Sequence, residues 1–300
     1  MKERLNNKVL PVNKSMGVST YDCIRLFKKV ACIRKVGHAG TLDPQATGLI
    51  LLLTGEATKL SNYLMDLPKR YVADVKLGES TDTQDADGRV LKKGDWTSIS
   101  NDDVRTVIEG FIGKRMQIPP MYSALKHRGI PLYTLARRGR KVDREPREVE
   151  AYEIKLVECN LPVFRIDVFC SRGLYLRVLA EEIGESLGVP AHLSSLIRTN
   201  IGHFDLESAT PDTALRSLCD LDSPGYSLSE AMRHLPAVHL SGRQARELKY
   251  GVAPGMDYPL PRPGSLVRLV RPDGGLGAIG EVGVASSLKI RRVFQDLGAA

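Results

Sequence analysis

GHAGTLDPQATG, at residues 37–48, is followed directly by the apolar run LILLL at residues 49–53. The first stretch is polar and contains three glycines, which permit positive φ angles and close approach of a neighbouring chain segment. The second stretch is too short to cross a bilayer and has the composition of a buried strand. Together they predict a shaped polar loop that is anchored by a strand of the core.

Asp43 is the one carboxylate of this loop, and it precedes Pro44, which biases the Asp43 backbone to an extended conformation. The loop lacks the spacing of a P-loop or of a dinucleotide fingerprint. It offers neither the second acid of a glycosidase nor the oxygen cluster of a magnesium site. Covalent catalysis by one carboxylate remains open. On composition alone, turn capping by Asp43 and a structural role for His38 are the simpler interpretations.

Outward from the loop, helix and strand patterns follow one another in irregular order. Ser19 with Asp22, and Ser100 with Asp103, have capping-box spacing, so each pair predicts the start of a helix. The other patterns predict a strand at residues 71–77, a hairpin at 149–157 and 163–170, and a helix at 176–187. This order predicts an α+β fold with a mixed, mostly antiparallel sheet flanked by helices.

The composition of the chain changes after Leu235, and prolines and glycine become frequent at residues 254–264. Three short strand patterns follow, at residues 266–270, 278–284 and 288–293. We therefore divide the chain into a large domain at residues 1–234 and a small β-rich domain at residues 235–300.

The overall composition limits the classes of protein to which the chain can belong. The net charge of +8 and the pI of about 9.2 favour a polyanionic partner such as nucleic acid. No CxxC pair occurs among the cysteines, which indicates reduced thiols and a cytoplasmic location rather than a disulfide framework or a zinc site. No signal-peptide core or bilayer-spanning run is present, so we expect no membrane association. The five cysteines are Cys23, Cys32, Cys159, Cys170 and Cys219.

The loop at residues 37–48 is similar, over its whole length, to the signature of the TruB family of tRNA pseudouridine-55 synthases. The resemblance continues in the same order through Asn13, Lys14, Gly17, Ser19 and Thr20, KRY at 69–71, LG at 77–78, TDT at 81–83, PPMYSALK at 119–126, Gly129, Tyr133, Ala136, Arg137, and SRGLYLR at 171–177. It covers most of residues 8–205 and implies a pseudouridine synthase fold. It also implies isomerisation of one uridine in the T-loop of tRNA, after that base is flipped out of its stack.

The resemblance implies three catalytic residues. Asp43 corresponds to the nucleophile of the family, and Arg177 to the arginine that pairs with it. An ionised carboxylate in a closed pocket needs such a nearby cation. Tyr71 corresponds to the tyrosine that stacks on the extruded uracil and helps to move a proton; otherwise it would be an ordinary cross-strand aromatic residue.

Four further positions correspond to substrate-binding residues of the family. His38 matches the residue that fills the space left by the flipped base, and Tyr175 and Leu196 fall where the uracil pocket is lined. Apolar packing alone would also explain the last two. Lys14 matches a loop lysine that shapes the site, although Ser15 stands where proline is often found.

A basic stretch at residues 122–148 lies beside one of the matched motifs. A solvated surface is the simpler interpretation of such a stretch, but its position predicts a mobile arm that grips tRNA phosphates. Its cations are Lys126, Arg128, Arg137, Arg138, Arg140, Lys141, Arg144 and Arg147. The domain at residues 235–300 resembles a PUA-type RNA-binding module.

The resemblance thus implies a cytoplasmic, stand-alone enzyme without cofactor or metal, for which we expect a monomer with no obligatory protein partner. Assistance to tRNA folding is a second activity that it suggests. Two alternatives stay open at this point. One is a non-catalytic RNA-binding or tRNA-folding protein, and the other is a subunit of a guide-RNA-dependent pseudouridine synthase.

Overall fold

A computed structural model describes residues 5–215, 225–255, 260–284 and 287–295. Within these ranges one mixed sheet dominates, with its strands in the order β14-β1-β3-β12-β4-β11-β10-β7 and with β2 and β13 paired to β3 and β12. Its strands are β1 (Val9–Lys14), β2 (Val36–His38), β3 (Thr47–Thr54), β4 (Lys69–Leu77), β7 (Gly113–Gln117), β10 (Arg147–Asn160), β11 (Val163–Cys170), β12 (Ala191–Ile201), β13 (Phe204–Asp205) and β14 (Thr210–Pro211). Two small hairpins pair β5 (Glu79–Thr81) with β6 (Val90–Lys93), and β8 (Lys126–His127) with β9 (Ile130–Pro131).

Most neighbours in the main sheet are antiparallel; β1 with β14 and β3 with β12 are parallel. The predicted α+β class with a mixed, mostly antiparallel sheet is therefore confirmed. The predicted buried strand is confirmed as β3, in which residues 49–53 are fully inaccessible to solvent. The sequence patterns did not reveal β12, the strand between β3 and β4 that joins the two halves of the sheet.

Helices cover the sheet, and two of them begin at the predicted capping boxes. Both capping boxes form, Ser19 with Asp22 and Ser100 with Asp103. The α-helices are α1 (Thr20–Ala31), α2 (Ser61–Met65), α3 (Asn101–Glu109), α4 (Leu132–Arg137), α5 (Leu176–Ser186), α6 (Leu228–Ala231) and α7 (Gly242–Lys249), and a 3-10 helix spans Gly55–Leu60. One apolar cluster joins α3 and α5 to β4, β10 and β11, and this packing fixes the start of α5 against the sheet.

A second sheet lies near the end of the described chain, with the order β15-β16-β17-β18. Its strands are β15 (Ala237–His239), β16 (Leu266–Val270), β17 (Leu276–Val282) and β18 (Leu288–Val293). The predicted strands at 266–270 and 288–293 have these bounds, and the middle one begins and ends two residues earlier than predicted. Leu276, Ile279 and Phe294 share a buried cluster with residues of β3. Cys219 and part of the proline-rich stretch lie outside the described residues.

Candidate active site

A cleft of about 440 Å³ brings together residues that are far apart in the sequence. The elements that line it are the loop before β3, strands β4 and β12, the segment at residues 123–125, the start of β10, and the segment that leads into α5. Five of the predicted site residues line it: Asp43, Tyr71, Tyr175, Arg177 and Leu196. The fold therefore assembles one pocket from the separate motifs.

Hydrogen bonds on two sides hold the loop that carries Asp43. The backbone N–H of Gly17 donates to the carbonyl of Pro44 at 2.8 Å. Thr20, the first residue of α1, exchanges two hydrogen bonds with the backbone of Leu42, at 3.1 and 3.3 Å. The Asp43 side chain between these anchors is 45% exposed and lines the cleft. The loop thus presents a carboxylate to a ligand instead of burying it.

Gly48 shows why the loop needs glycine where it enters β3. Its φ angle is +105°, and an added Cβ would lie 2.4 Å from the backbone oxygen of Arg198. Because β3 and β12 run side by side at this point, any side chain would separate the two strands. Gly48 therefore permits the close approach that brings β12 to the site.

Arg177 is the buried partner of Asp43. Its Nη2 lies 2.9 Å from Oδ2 of Asp43, and only 6% of its side chain is exposed. The guanidinium also donates to the carbonyls of Thr83, at 3.1 Å, and Tyr122, at 2.6 Å. Charge-assisted hydrogen bonds of this kind fix both position and charge. The pairing that the sequence resemblance implied is present in the geometry.

Asp85 is a second acidic neighbour of Arg177 that sequence reasoning missed. Its Oδ2 lies 3.6 Å from Nη1 of Arg177. Burial raises the pKa of the Asp85 carboxyl, while a hydrogen bond from Thr83 and the charge of Arg177 oppose that shift. In the sequence, Asp85 belongs to an acidic turn with no feature that separates one aspartate from the next. Only the fold places this one behind the arginine.

Tyr71, Leu196 and Tyr175 give the cleft its aromatic and apolar walls. Burial raises the pKa of both tyrosine phenols. The side chain of Gln117 makes two hydrogen bonds with the backbone of Tyr175. It accepts from the Tyr175 N–H at 2.8 Å and donates to the Tyr175 carbonyl at 3.3 Å. Such walls suit a flat, uncharged ring of the size of a pyrimidine.

Arg198, on β12, is another cleft residue that the sequence did not indicate. It is 2% exposed, and its Nε donates to the carbonyl of Leu49 at 2.7 Å. Its Nη1 donates to the carbonyl of Thr41 at 3.3 Å, within the loop that carries Asp43. Because β12 itself was not predicted, no pattern marked this arginine as buried.

Lys14 supports the loop from behind. Its side chain is fully buried, and its ammonium donates to the carbonyls of Ser15, Val18 and Pro44 at 2.9, 2.7 and 3.1 Å. Burial lowers its pKa. All three protons are thus used within the protein, so Lys14 shapes the site through the Pro44 carbonyl. This geometry favours a supporting role over direct contact with a substrate.

His38 lies on β2, outside the residues that line the cleft. Its backbone carbonyl accepts from the hydroxyl of Ser61 at 2.9 Å. Its Nδ1 is buried and has no hydrogen-bond partner within the described ranges. Burial lowers the pKa of the imidazole, which favours the neutral ring. A neutral aromatic ring can pack against nucleic acid bases.

The basic stretch at residues 122–148 forms the β8–β9 hairpin and the short helix α4. Lys126 and Arg137 are exposed and do not line the cleft. Arg137 lies over the ring of Tyr133, with 5.8 Å between its Cζ and the ring centroid. Arg144 is an exception to the general exposure, because its Nη1 donates to the carbonyl of Pro119 at 2.9 Å. The stretch is therefore a cationic surface whose two ends, at residues 123–125 and 147–148, line the cleft.

Comparison with known proteins identifies the family. A model of the N-terminal domain of TruB family pseudouridylate synthases matches residues 28–176. A protein of Geotalea uraniireducens named tRNA pseudouridine synthase B is 40% identical, over 94% of this chain and 96% of its own length. The chain belongs to the TruB family. Its class is therefore that of a pseudouridine synthase, an isomerase.

Other TruB relatives and solved structures agree with this assignment. The tRNA pseudouridine synthase B of Chromohalobacter salexigens is 39% identical, over 90% of this chain and 89% of its own length. A chain of a Cbf5–Nop10–Gar1 complex has 24% identity and a TM-score of 0.77, and covers 97% of this chain and 86% of its own. A chain of an archaeal box H/ACA Nop10–Cbf5 complex has 21% identity and a TM-score of 0.75, over 97% of this chain and 87% of its own. At these identities the two structures show the shared fold.

Two further findings concern this TruB chain. Among the described residues, no group of three or more His, Cys, Asp or Glu side chains is placed to hold a metal ion. Within the same ranges, none of the helices has the length and apolar character needed to cross a membrane.

Proposed function

We propose that the chain converts one uridine in the T-loop of tRNA to pseudouridine, with Asp43 as covalent nucleophile. One observation carries this proposal: the Asp43 carboxylate faces an open cleft while its cation, Arg177, is buried and held by two carbonyls. The cation therefore stabilises the charge without blocking approach of a ligand. The names of the relatives, tRNA pseudouridine synthase B, support tRNA as the substrate.

The reaction that we propose is balanced without an external reagent. The bond between N1 of the uracil and C1′ of the ribose breaks, and a bond between C5 and C1′ forms. C5 loses one proton and N1 gains one, so nothing is oxidised or reduced. The protein must supply a nucleophile, a pocket that retains the detached base, and a group that accepts the C5 proton. This balance supports our expectation of an enzyme that needs no cofactor or metal.

The walls of the cleft suit the remaining tasks. We assign Tyr71 to stacking on the extruded uracil and to transfer of the C5 proton, and Tyr175 and Leu196 to the lining of the base pocket. His38, which lies outside the cleft, is assigned to the space that the flipped base leaves in the tRNA. Lys14 supports the loop through Pro44.

For RNA binding we propose two further regions. The arm at about residues 122–148, with Lys126 and Arg137, grips phosphates and supplies affinity without reading bases. The segment at residues 235–300 is a PUA-like RNA-binding domain attached to a catalytic domain at residues 1–234. The exposed cations of the arm and the separate sheet β15–β18 support these assignments.

A second activity, assistance to tRNA folding, is favoured by the position of the exposed cations of the arm. Both ends of the arm line the cleft, but Lys126 and Arg137 do not, so we expect these two cations to bind phosphates without the help of Asp43. We propose that the enzyme acts as a monomer in the cytoplasm, without an obligatory protein or guide RNA. Guide-dependent action and binding without catalysis are the alternatives that the experiment must separate.

The test is single-turnover formation of pseudouridine on an unmodified tRNA transcript, with purified protein, a chelator and no other component. We expect conversion at a single T-loop uridine and none in a transcript that has cytidine at that position. Tight binding without conversion would contradict the proposal and would favour a folding factor or a guide-dependent subunit. Analytical ultracentrifugation of the same sample would test the monomer.

A further inference from the structure

Arg198 and Tyr71 face each other across two antiparallel strands. In the pairing of β12 with β4, Arg198 is the direct Cα partner of Tyr71. Side chains of directly opposed residues emerge on the same face of a sheet, with their Cβ atoms about 5 Å apart. Both side chains line the cleft that also contains Asp43. The pairing therefore holds the guanidinium beside the phenol.

The guanidinium of Arg198 is fixed, yet one of its nitrogens is unused. Nε and Nη1 donate to the carbonyls of Leu49 and Thr41. Nη2 is buried and has no hydrogen-bond partner among the residues that the structure describes. Leaving a buried charged donor unpaired is unfavourable, because the group loses its hydration without gaining a partner. A charge that is retained at such a cost indicates that an acceptor forms at this position during the reaction.

We propose that Arg198 is a positioning residue for Tyr71, and that its free Nη2 stabilises the phenolate form of that tyrosine. The inference rests on the proposed function. Once C5 has joined C1′, the phenolate takes the C5 proton and becomes a phenol. The C–H electron pair forms the C5–C6 double bond, and the C6–N1 double-bond pair moves to N1, which takes up a proton. The cation of Arg198 makes the phenolate less unfavourable in this buried site, and the guanidinium holds the ring in place.

The other groups that act on the phenol cannot take this role. Burial raises the pKa of Tyr71, and the charge of Arg198 opposes that shift. Cys170 and Asp43 also act on the phenol, and both act to raise its pKa. Burial raises the pKa of the Cys170 thiol to about 12, so it stays neutral, and Asp43 has its own cation in Arg177. Arg198 is thus the cation suited to Tyr71.

The first test measures ionisation of Tyr71 without catalysis. Protein labelled with 3-fluorotyrosine is titrated by ¹⁹F NMR, and the Tyr71 signal is assigned by its loss in Tyr71→Phe. We expect the titration midpoint to rise by about one pH unit or more in Arg198→Met and Arg198→Gln, and to return most of the way in Arg198→Lys. An unchanged midpoint in the folded Met or Gln variant would overturn the proposal. Because no substrate is present, this result stands whether or not the proposed reaction occurs.

The second test measures the single-turnover rate against pH. For Arg198→Gln we expect a loss of about tenfold near pH 7 that is largely recovered at higher pH, since a base with a raised pKa needs a higher pH to ionise. A purely structural role would lower the rate by the same factor at every pH. Arg165→Gln is the matched control, because Arg165 pairs with Asp74 and does not line the cleft. It should keep the wild-type profile.

Discussion

The cleft and the arm use arginine in opposite ways. Arg177 in the cleft is 6% exposed and donates to backbone carbonyls and to Asp43, so its position is fixed by the interior of the protein. Arg137 on the arm is exposed and rests only on a nearby tyrosine ring. A fixed cation can set the charge of one atom, whereas exposed cations act through the summed field that they create. We therefore expect changes in the cleft to alter the rate of chemistry, and changes in the arm to alter affinity and its salt dependence.

The largest effect is expected from Asp43→Asn. The amide keeps the shape of the side chain but removes the nucleophile, so single-turnover pseudouridine formation should fall by about 10³-fold or more. Binding of tRNA, measured by filter retention, should stay within about twofold, because the arm is unchanged. Substantial turnover by this variant would contradict the proposal that Asp43 is the nucleophile. A loss of tRNA binding would contradict the expectation that the cleft governs the rate and the arm governs affinity.

The substitution Asp85→Asn tests whether the second acidic neighbour of Arg177 contributes to the reaction rate. It removes the negative charge that lies 3.6 Å from Nη1 of Arg177, too far for a hydrogen bond, so we expect a single-turnover rate that is about 10-fold lower. Affinity for tRNA should not change. Asp87→Asn is the matched control, since Asp87 lies two residues away and is exposed. Equal effects of the two substitutions would show that Asp85 has no special role.

The arm is tested by changing Arg137, Arg138 and Arg140 together to glutamine. Each phosphate contact that is lost should reduce the slope of log affinity against log salt by about 0.7–0.9, with a weaker apparent affinity near 0.15 M salt. The single-turnover rate at saturating tRNA should remain close to that of the wild type.

The control for the arm is a matched triple substitution to glutamine at exposed cations elsewhere, Lys92, Lys93 and Arg105. Both triple variants change the net charge equally, so a difference in salt slope reports position rather than bulk charge. If the control variant lost as much affinity for tRNA as the arm variant, tRNA binding would depend on the overall charge of the surface. The arm would then not be a distinct RNA-binding site.

The smallest expected effect is on the pH dependence of stability. It compares His203, which is packed in the body of the protein, with His127 on the arm. Burial, with Arg233 and His234 nearby, lowers the pKa of His203 from 6.5 to about 4. Between these values the unfolded chain binds a proton that the folded protein does not, so stability should fall as the pH drops from 6.5 to 4. After allowance for solvent screening, we expect about 1–2 kcal/mol from this group.

Urea unfolding at pH 7 and pH 4.5 measures that contribution. His203→Phe should show a smaller loss of stability between the two pH values than the wild type does. His127→Phe, on the arm, should behave like the wild type. If His203→Phe kept the full pH dependence, other groups would be responsible for it.

Much of the fold was predictable because its signals are local. Capping boxes at Ser19 and Ser100 start helices through contacts within a single turn, and the apolar run at residues 49–53 allows little other than a buried strand. Strand β12 escaped prediction because its residues are mixed in character and its burial comes from neighbours on both sides. Strand β15 and helix α7 were also missed, within a segment whose other three strands were predicted.

By itself, the sequence determined the family and the polar loop at residues 37–48. It also marked Asp43, Tyr71 and Arg177 as candidate site residues, because these signals are carried by contiguous motifs. Only the tertiary structure decided what surrounds them. Asp85 and Arg198 become site residues because a turn and a strand from distant parts of the chain meet at the cleft. Burial and the pairing of charges depend on tertiary contacts of this kind. No local pattern of residues encodes which distant groups will come into contact.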